Sequence, residues 1–187
     1  TNAYTGPAFA DLQRRVVPVG SYIVASSQVD PGFCGRLMPQ RRVFTDTRNL
    51  LHYFRLTRDG RVLFGGRAAF TPLPVAEAAR LLGKAMVETF PDLRLVDVEY
   101  AWEGKVAFAL DQMPHAGRLG QLHYSLAYAG HGVAMSTWLG TRMGDALAGT
   151  GPLPSLCRRF PPIPFYHGRP WFLPLVGAYY RLKDRLV

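Results

Sequence analysis

In the segment NLLHYFRL, residues 49–56, an extended chain would send successive side chains to opposite faces. Asn49, Leu51, Tyr53 and Arg55 then share one face, and Leu50, His52, Phe54 and Leu56 share the other. The first face offers an amide, a phenol and a guanidinium. An Arg can grip a carboxylate with two parallel hydrogen bonds, and a Tyr hydroxyl can bond beside it. Tyr53 and Arg55 are therefore the candidates for binding and orienting a substrate. The same spacing suits the solvent side of a half-exposed antiparallel sheet equally well. His52 falls on the apolar face, where a lone His is more often a hydrogen-bonded structural residue than a catalyst.

A second candidate lies in LAYAGHGVAMSTWLG, residues 126–140. Gly130 and Gly132 bracket His131, and a mostly apolar run follows. The glycines free the backbone. A helix expected over residues 133–147 would then aim unpaired N–H groups and its positive dipole end at whatever precedes it. An anion or a partly negative carbonyl suits such a place, by roughly 0.3–1 kcal/mol when exposed. Gly140 and Gly144, four apart, suggest that this helix is pressed closely against another element. A buried helix with a glycine entry turn that holds nothing fits the same residues.

Other chemistries find less support. The five histidines, at 52, 115, 123, 131 and 167, show no ligand pairing four residues apart, so no metal is expected. Neither a Gly-x-Ser-x-Gly elbow nor a Ser-His-Asp pattern is present, so a hydrolase is not expected. Cys34 and Cys157 lie far apart and read as two free thiols in a reducing compartment, which points to a cytoplasmic location.

The net charge is +9, and Arg supplies most of the 22 basic residues. Residues 151–187 hold six of those basic residues and a single acid, Asp184. Such a tail can meet nucleic acid or an anionic membrane surface. With no RNA-binding signature and no zinc spacing, nucleic acid is not the expected partner. The stretch WFLPLVGAYY is too short to span a bilayer and is interrupted by Pro174, so peripheral contact is the membrane alternative. A content of 48% hydrophobic and 19% charged residues is that of a globular domain. The chain opens on TNAYTGPAF, without Met and without a signal-peptide pattern, as expected of a piece of a longer protein.

The elements that must carry these residues follow from local pattern. VVPVGSYIVAS, residues 16–26, is β-branched and aromatic and predicts a strand. PGFCGRLMPQRR, residues 31–42, predicts a loop. Asp59-Gly60 sits between apolar runs and predicts a hairpin. Residues 74–90 keep a helical apolar period between Pro74 and Pro91. Residues 93–110 predict two strands with a turn near Glu103-Gly104, and a Pro-rich tail begins at Gly151. Hairpins mixed with helices define an α+β layer with a mixed or antiparallel sheet covered by a helix.

Four of these stretches together resemble the FAD-dependent amine and amino-acid oxidoreductases, the D-amino-acid oxidase-like family. TNAYT resembles the end of the flavin-domain strand that leads into the substrate domain. HYFRLTRDGRVLFGG resembles the family's Tyr-x-Arg strand and hairpin, WEGKVAFALDQMPHAG its Trp-x-Gly return segment, and YAGHGVAMSTWLG its glycine turn and last flavin-contacting helix. Even the tail, RPWFLPLVGAYYRLKDR, is similar to the family's C-terminal end. Each motif alone is weak; their order and spacing across nearly the whole chain make the resemblance specific.

The resemblance implies that residues 1–17 end a flavin-domain strand and connector, and that 18–98 form a substrate-binding domain. It further implies that 99–150 return to a Rossmann-like FAD domain and that 151–187 are a basic, aromatic tail. It implies an enzyme that oxidises the C–N bond of a small amine or amino acid by hydride transfer to FAD, the imine then hydrolysing. Gly130, His131, Gly132 and Val133 would contact the cofactor, with Pro114, Thr1 and Asn2 nearby, and Arg55 would hold a substrate carboxylate beside Tyr53. Neither Cys lies in a motif matched to covalent flavin attachment. A Gly-x-Gly-x-x-Gly fingerprint is absent from the chain. The chain therefore resembles a C-terminal fragment, inactive alone, with apolar surface where an N-terminal FAD domain would pack. The alternative is a non-catalytic fragment or interaction module whose basic tail rests on a membrane surface.

Overall fold

The computed structural model describes residues 2–66, 70, 72–154, 156 and 160–186. The chain opens on a short helix, α1 (Ala10–Gln13), and enters the expected strand as β1 (Val17–Ser26). Then follow α2 (Pro31–Leu37), β2 (Phe44–Thr45), β3 (His52–Leu56), β4 (Val62–Gly66), α3 (Val75–Thr89) and β5 (Val98–Phe108). The chain closes with β6 (His115–Leu119), β7 (Leu122–Leu126), α4 (Gly132–Leu147) and α5 (Leu173–Arg185). Two compact units result. One is Thr1–Val19 with Lys105–Trp171; the other is Gly20–Gly104 with Phe172–Val187. The mixture of helices with antiparallel pairing is the expected fold class.

The second unit is built on a five-stranded sheet of order β2-β3-β4-β1-β5. The Asp59-Gly60 turn joins β3 to β4, which pair antiparallel with Phe54 opposite Phe64 and Tyr53 opposite Gly65. β1 lies on the far side of β4, with Tyr22 opposite Gly66 and Val24 opposite Phe64. Alternation therefore puts Tyr22, Val24, Phe54, Leu56, Val62 and Phe64 on one face. That face is closed by α3, whose Ala78, Leu82 and Met86 are buried at four-residue spacing in the same core. Phe44, Phe54 and Phe64 stack across three strands with centroids 5.6 and 5.7 Å apart. Phe64 is fully buried, worth about 1.5–3 kcal/mol, whereas Phe44 at the sheet edge is exposed.

Three local expectations are corrected here. Residues 31–37 are a helix rather than a loop, because the Asp30 carboxylate accepts from Phe33 N–H at 2.9 Å and Pro31 supplies a preset first turn. Cys34 is a free thiol buried by that helix; Cys157 lies outside the described residues. No turn forms near Glu103-Gly104: β5 runs unbroken from Val98 to Phe108, since Glu-Gly lacks the conformation-setting chemistry of Asn-Gly or Asp-Gly. Pro174 does not interrupt the tail but lies in the first turn of α5, where its missing N–H costs nothing.

In the other unit β6 and β7 form an antiparallel hairpin, His115 opposite Leu126 and Leu119 opposite Leu122. Its core gathers Ala3, Leu12, Val16, Ala107, Ala109, Leu126, Ala127 and Phe160. The buried Tyr166 hydroxyl donates to Val16 O at 2.9 Å, and burial pushes its pKa up to about 12.

Candidate functional site

Tyr53 and Arg55 lie on the sheet face opposite α3, as alternation requires. The Tyr53 hydroxyl is 3.0 Å from Ser21 Oγ on β1. Its ring crosses the strand between them and lies directly over Gly65, where any Cβ would fall 2.2 Å from the ring's Cε2. Glycine there is what lets the phenol lie flat on the sheet. The Arg55 side chain is exposed and makes no ion pair or hydrogen bond with the described residues. A pinned phenol beside an uncommitted guanidinium is suited to a carboxylate that arrives with a ligand. Asn49 does not join them. It precedes β3, and its amide donates to Asp184 Oδ1 on α5 at 2.6 Å.

His52 occupies the core face, its ring 5.0 Å from that of Phe64 and its Nδ1 3.3 Å from Asp46 Oδ2. Burial lowers its pKa, against an opposing pull from the Asp46 carboxylate. It is structural rather than part of the open face. A groove of about 500 Å³ lined by Gly83, Met86, Val87, Val96 and Val98 lies along α3 and the start of β5, away from Tyr53 and Arg55.

In the other unit the glycine turn has a defined geometry. Ala127, Ala129 and Gly130 all have positive φ, at 64°, 51° and 99°. Two of these are not glycine, and that conformation costs an L-residue roughly 1–2 kcal/mol. The turn is held in place from elsewhere. Asn2 Oδ1 accepts Ala127 N–H at 2.9 Å, and Ala107 O on β5 accepts Ala129 N–H at 3.0 Å. Asn2 thus braces the turn through its side chain; Thr1 lies outside the described residues.

His131 is the N-cap of α4, yet no side chain caps the helix. The first helical bond runs from Met135 N–H to His131 O. The N–H groups of Gly132, Val133 and Ala134 therefore have no acceptor within the helix. Val133 is 89% exposed, and a Cβ built on Gly130 would meet nothing. The expected tight packing at Gly140 and Gly144 is not found: both face open space. The helix buries Leu139 and Met143, and the glycines lie about 100° further round it.

Pro114 is half-buried and immediately precedes β6. The next residue is one that sequence reasoning passed over. His115 is 1% exposed, stacks on Phe160 with centroids 4.0 Å apart, and places Nε2 3.1 Å from Asp111 Oδ1. That pair closes the loop carrying Pro114. Its only signal in the sequence was the four-residue spacing of an Asp and a His around a Pro.

A positioned Tyr-Arg face and an open, braced helix end are the features these units present. The family model for FAD dependent oxidoreductases matches residues 1–146, and the chain belongs to that family. It is 32% identical over 190 residues to gamma-glutamylputrescine oxidoreductase of Escherichia coli (strain K12), covering 99% of this chain and 45% of that protein. It is 28% identical over 189 residues to the probable oxidoreductase OrdL of Rhizobium meliloti (strain 1021), covering 98% of this chain and 44% of that protein. Among solved structures, glycine oxidase from Geobacillus kaustophilus gives a TM-score of 0.60 at 17% identity over 79% of this chain and 40% of that one. A thermally stable mutant of fructosyl peptide oxidase gives 0.62 at 12% identity over 90% of this chain and 46% of that one. These structural likenesses are likenesses of fold. The chain spans about 45% of the length of the first of these curated relatives.

Proposed function

We propose that this chain supplies the substrate-binding sheet and the flavin-facing helix end of an enzyme that oxidises the C–N bond of an amine or amino acid. Residues 18–98 would be the substrate-binding part. Residues 1–17 and 99–150 would be the C-terminal piece of a Rossmann-like FAD domain, and 151–187 a tail whose last stretch, Phe172–Val187, belongs to the sheet-bearing unit. The observation that carries the reading is the turn before α4, held in left-handed geometry and leaving three first-turn N–H groups without an intrahelical acceptor.

The residues fit one part of FAD. N–H groups aimed together beside a glycine with open space around it suit the electron-rich edge of the flavin ring. A glycine loop to hold the pyrophosphate is not in this sequence, so that role would fall to residues outside it. The exposed side of α4, with Val133, Gly140 and Gly144, is the natural contact for such a stretch.

When bound, FAD supplies the two-electron acceptance that the protein's own side chains lack. Gly132 and Val133 would stabilise negative charge through backbone N–H groups, with Gly130 keeping that approach unobstructed. Asn2 holds the turn in register. Arg55 would pair with a substrate carboxylate, and Tyr53, fixed by Ser21, would bond beside it. The roles of His131, Pro114 and Thr1 would be contact rather than proton transfer.

The test is to purify the protein from its full reading frame and record flavin absorbance, then to measure amine and amino-acid turnover in wild type and Arg55→Ala. Bound flavin with a carboxylate-selective loss in the variant supports the reading. A colourless protein overturns it.

A further inference from the structure

We propose that the outward face of α5 docks on an anionic lipid surface. The inward side of this helix is fixed by its contacts. Leu173 and Gly177 are buried, Tyr180 stacks on Phe70 with centroids 5.9 Å apart, and Asp184 bonds to Asn49 and Leu50. Opposite them Leu175, Tyr179, Leu182 and Leu186 are exposed by 69, 61, 59 and 79%. Their spacing of four, three and four residues lines them up as one stripe along the helix. An apolar stripe of this kind normally has a partner.

The charges say which partner fits. Arg181 and Lys183 are exposed and flank the stripe on its two sides. The helix has one acid, Asp184, and its two oxygens already accept three N–H groups on the inward side. The outward face thus joins apolar side chains to positive charge alone. A second copy of the chain, stripe against stripe, would set Arg181 and Lys183 against their like with no acid to separate them. Anionic headgroups complement them, while the acyl boundary takes the leucines and the tyrosine ring. No helix among the described residues is long and apolar enough to cross a membrane, so α5 would lie in the plane of the surface.

The test is co-sedimentation of the full-length protein with phosphatidylcholine vesicles, with and without about 30% phosphatidylserine. It is read without turnover and is independent of the flavin reading. Binding is expected only with phosphatidylserine. It should fall roughly tenfold in Leu175→Ser/Leu182→Ser, which leaves the net charge unchanged, and also in Arg181→Gln/Lys183→Gln. Amide exchange in wild type should slow across α5 when these vesicles are added. The proposal is overturned if the serine variant sediments like wild type, because charge elsewhere then suffices. It is equally overturned if neutral vesicles bind as well, if α5 is already protected without vesicles, or if a dimer forms that the serine variant dissolves.

Discussion

The Asp184 carboxylate of α5 accepts N–H groups from Asn49 and Leu50 and the Asn49 amide, at 2.9, 2.9 and 2.6 Å. This joins the C-terminal helix to the entrance of β3, the strand that carries Tyr53 and Arg55. Burial pushes the Asp184 pKa up, but the bonds from Asn49 and Leu50 outweigh it, and the net shift is down. The bonds therefore stabilise the fold above the ordinary carboxylate value of 3.8, and that stability is lost as pH falls through the lower native value. Asp184→Asn should cost about 1 kcal/mol at neutral pH, a modest figure because solvent screens the site. Urea unfolding should show this difference shrinking below about pH 4.

Gly65→Ala should force the Tyr53 ring off the sheet and cost about 1–3 kcal/mol. In a Tyr53→Ala background the same change should be nearly free. A double-mutant cycle of chemical unfolding measures the coupling; additive costs would mean that the ring is not the obstacle.

His52 is held neutral by burial, with Asp46 opposing. Its lowered pKa means that the unfolded chain binds the proton more readily. Stability should fall as pH drops below the ordinary value of 6.5 toward the lower native one. His52→Phe, which keeps a ring beside Phe64, should flatten the stability profile in that window.

Gly130→Val places a β-branched residue at a φ of 99°. Strain of about 1–3 kcal/mol should distort the turn. Flavin retained through gel filtration should drop, while the far-ultraviolet circular dichroism stays that of the wild type.

Arg55→Ala should raise KM for carboxylated amines by about 10- to 100-fold, the worth of a charge-assisted pair. Amines without a carboxylate should be unaffected. Steady-state kinetics on matched substrates with and without the carboxylate would distinguish the two.

The parts of this fold that were legible are those set by short-range rules. The α3 helix declared itself through an unbroken apolar period between two prolines, and the β3–β4 hairpin through Asp59-Gly60. Tyr53 and Arg55 share a face because alternation leaves no other choice. What stayed hidden depended on partners far along the chain. Alternation alone groups Asn49 with Tyr53, but Asp184, 135 residues away, holds its amide. Asn2 reaches across 125 residues to hold Ala127, a pairing that no local pattern encodes. The α2 helix was obscured because its Gly and Pro content looks like a loop, while a single Asp30 cap decides otherwise.

The sheet-bearing unit takes its residues from two separate stretches, Gly20–Gly104 and Phe172–Val187. On the proposed reading of this sheet as the substrate-binding part, specificity is not a cassette that two cuts can lift out. A graft of residues 20–104 alone would leave Asn49 and Leu50 without their carboxylate, and Phe70 without Tyr180. On that reading, exchanging substrate preference means moving the last helix with the sheet, so the two stretches should change together when such chains diverge.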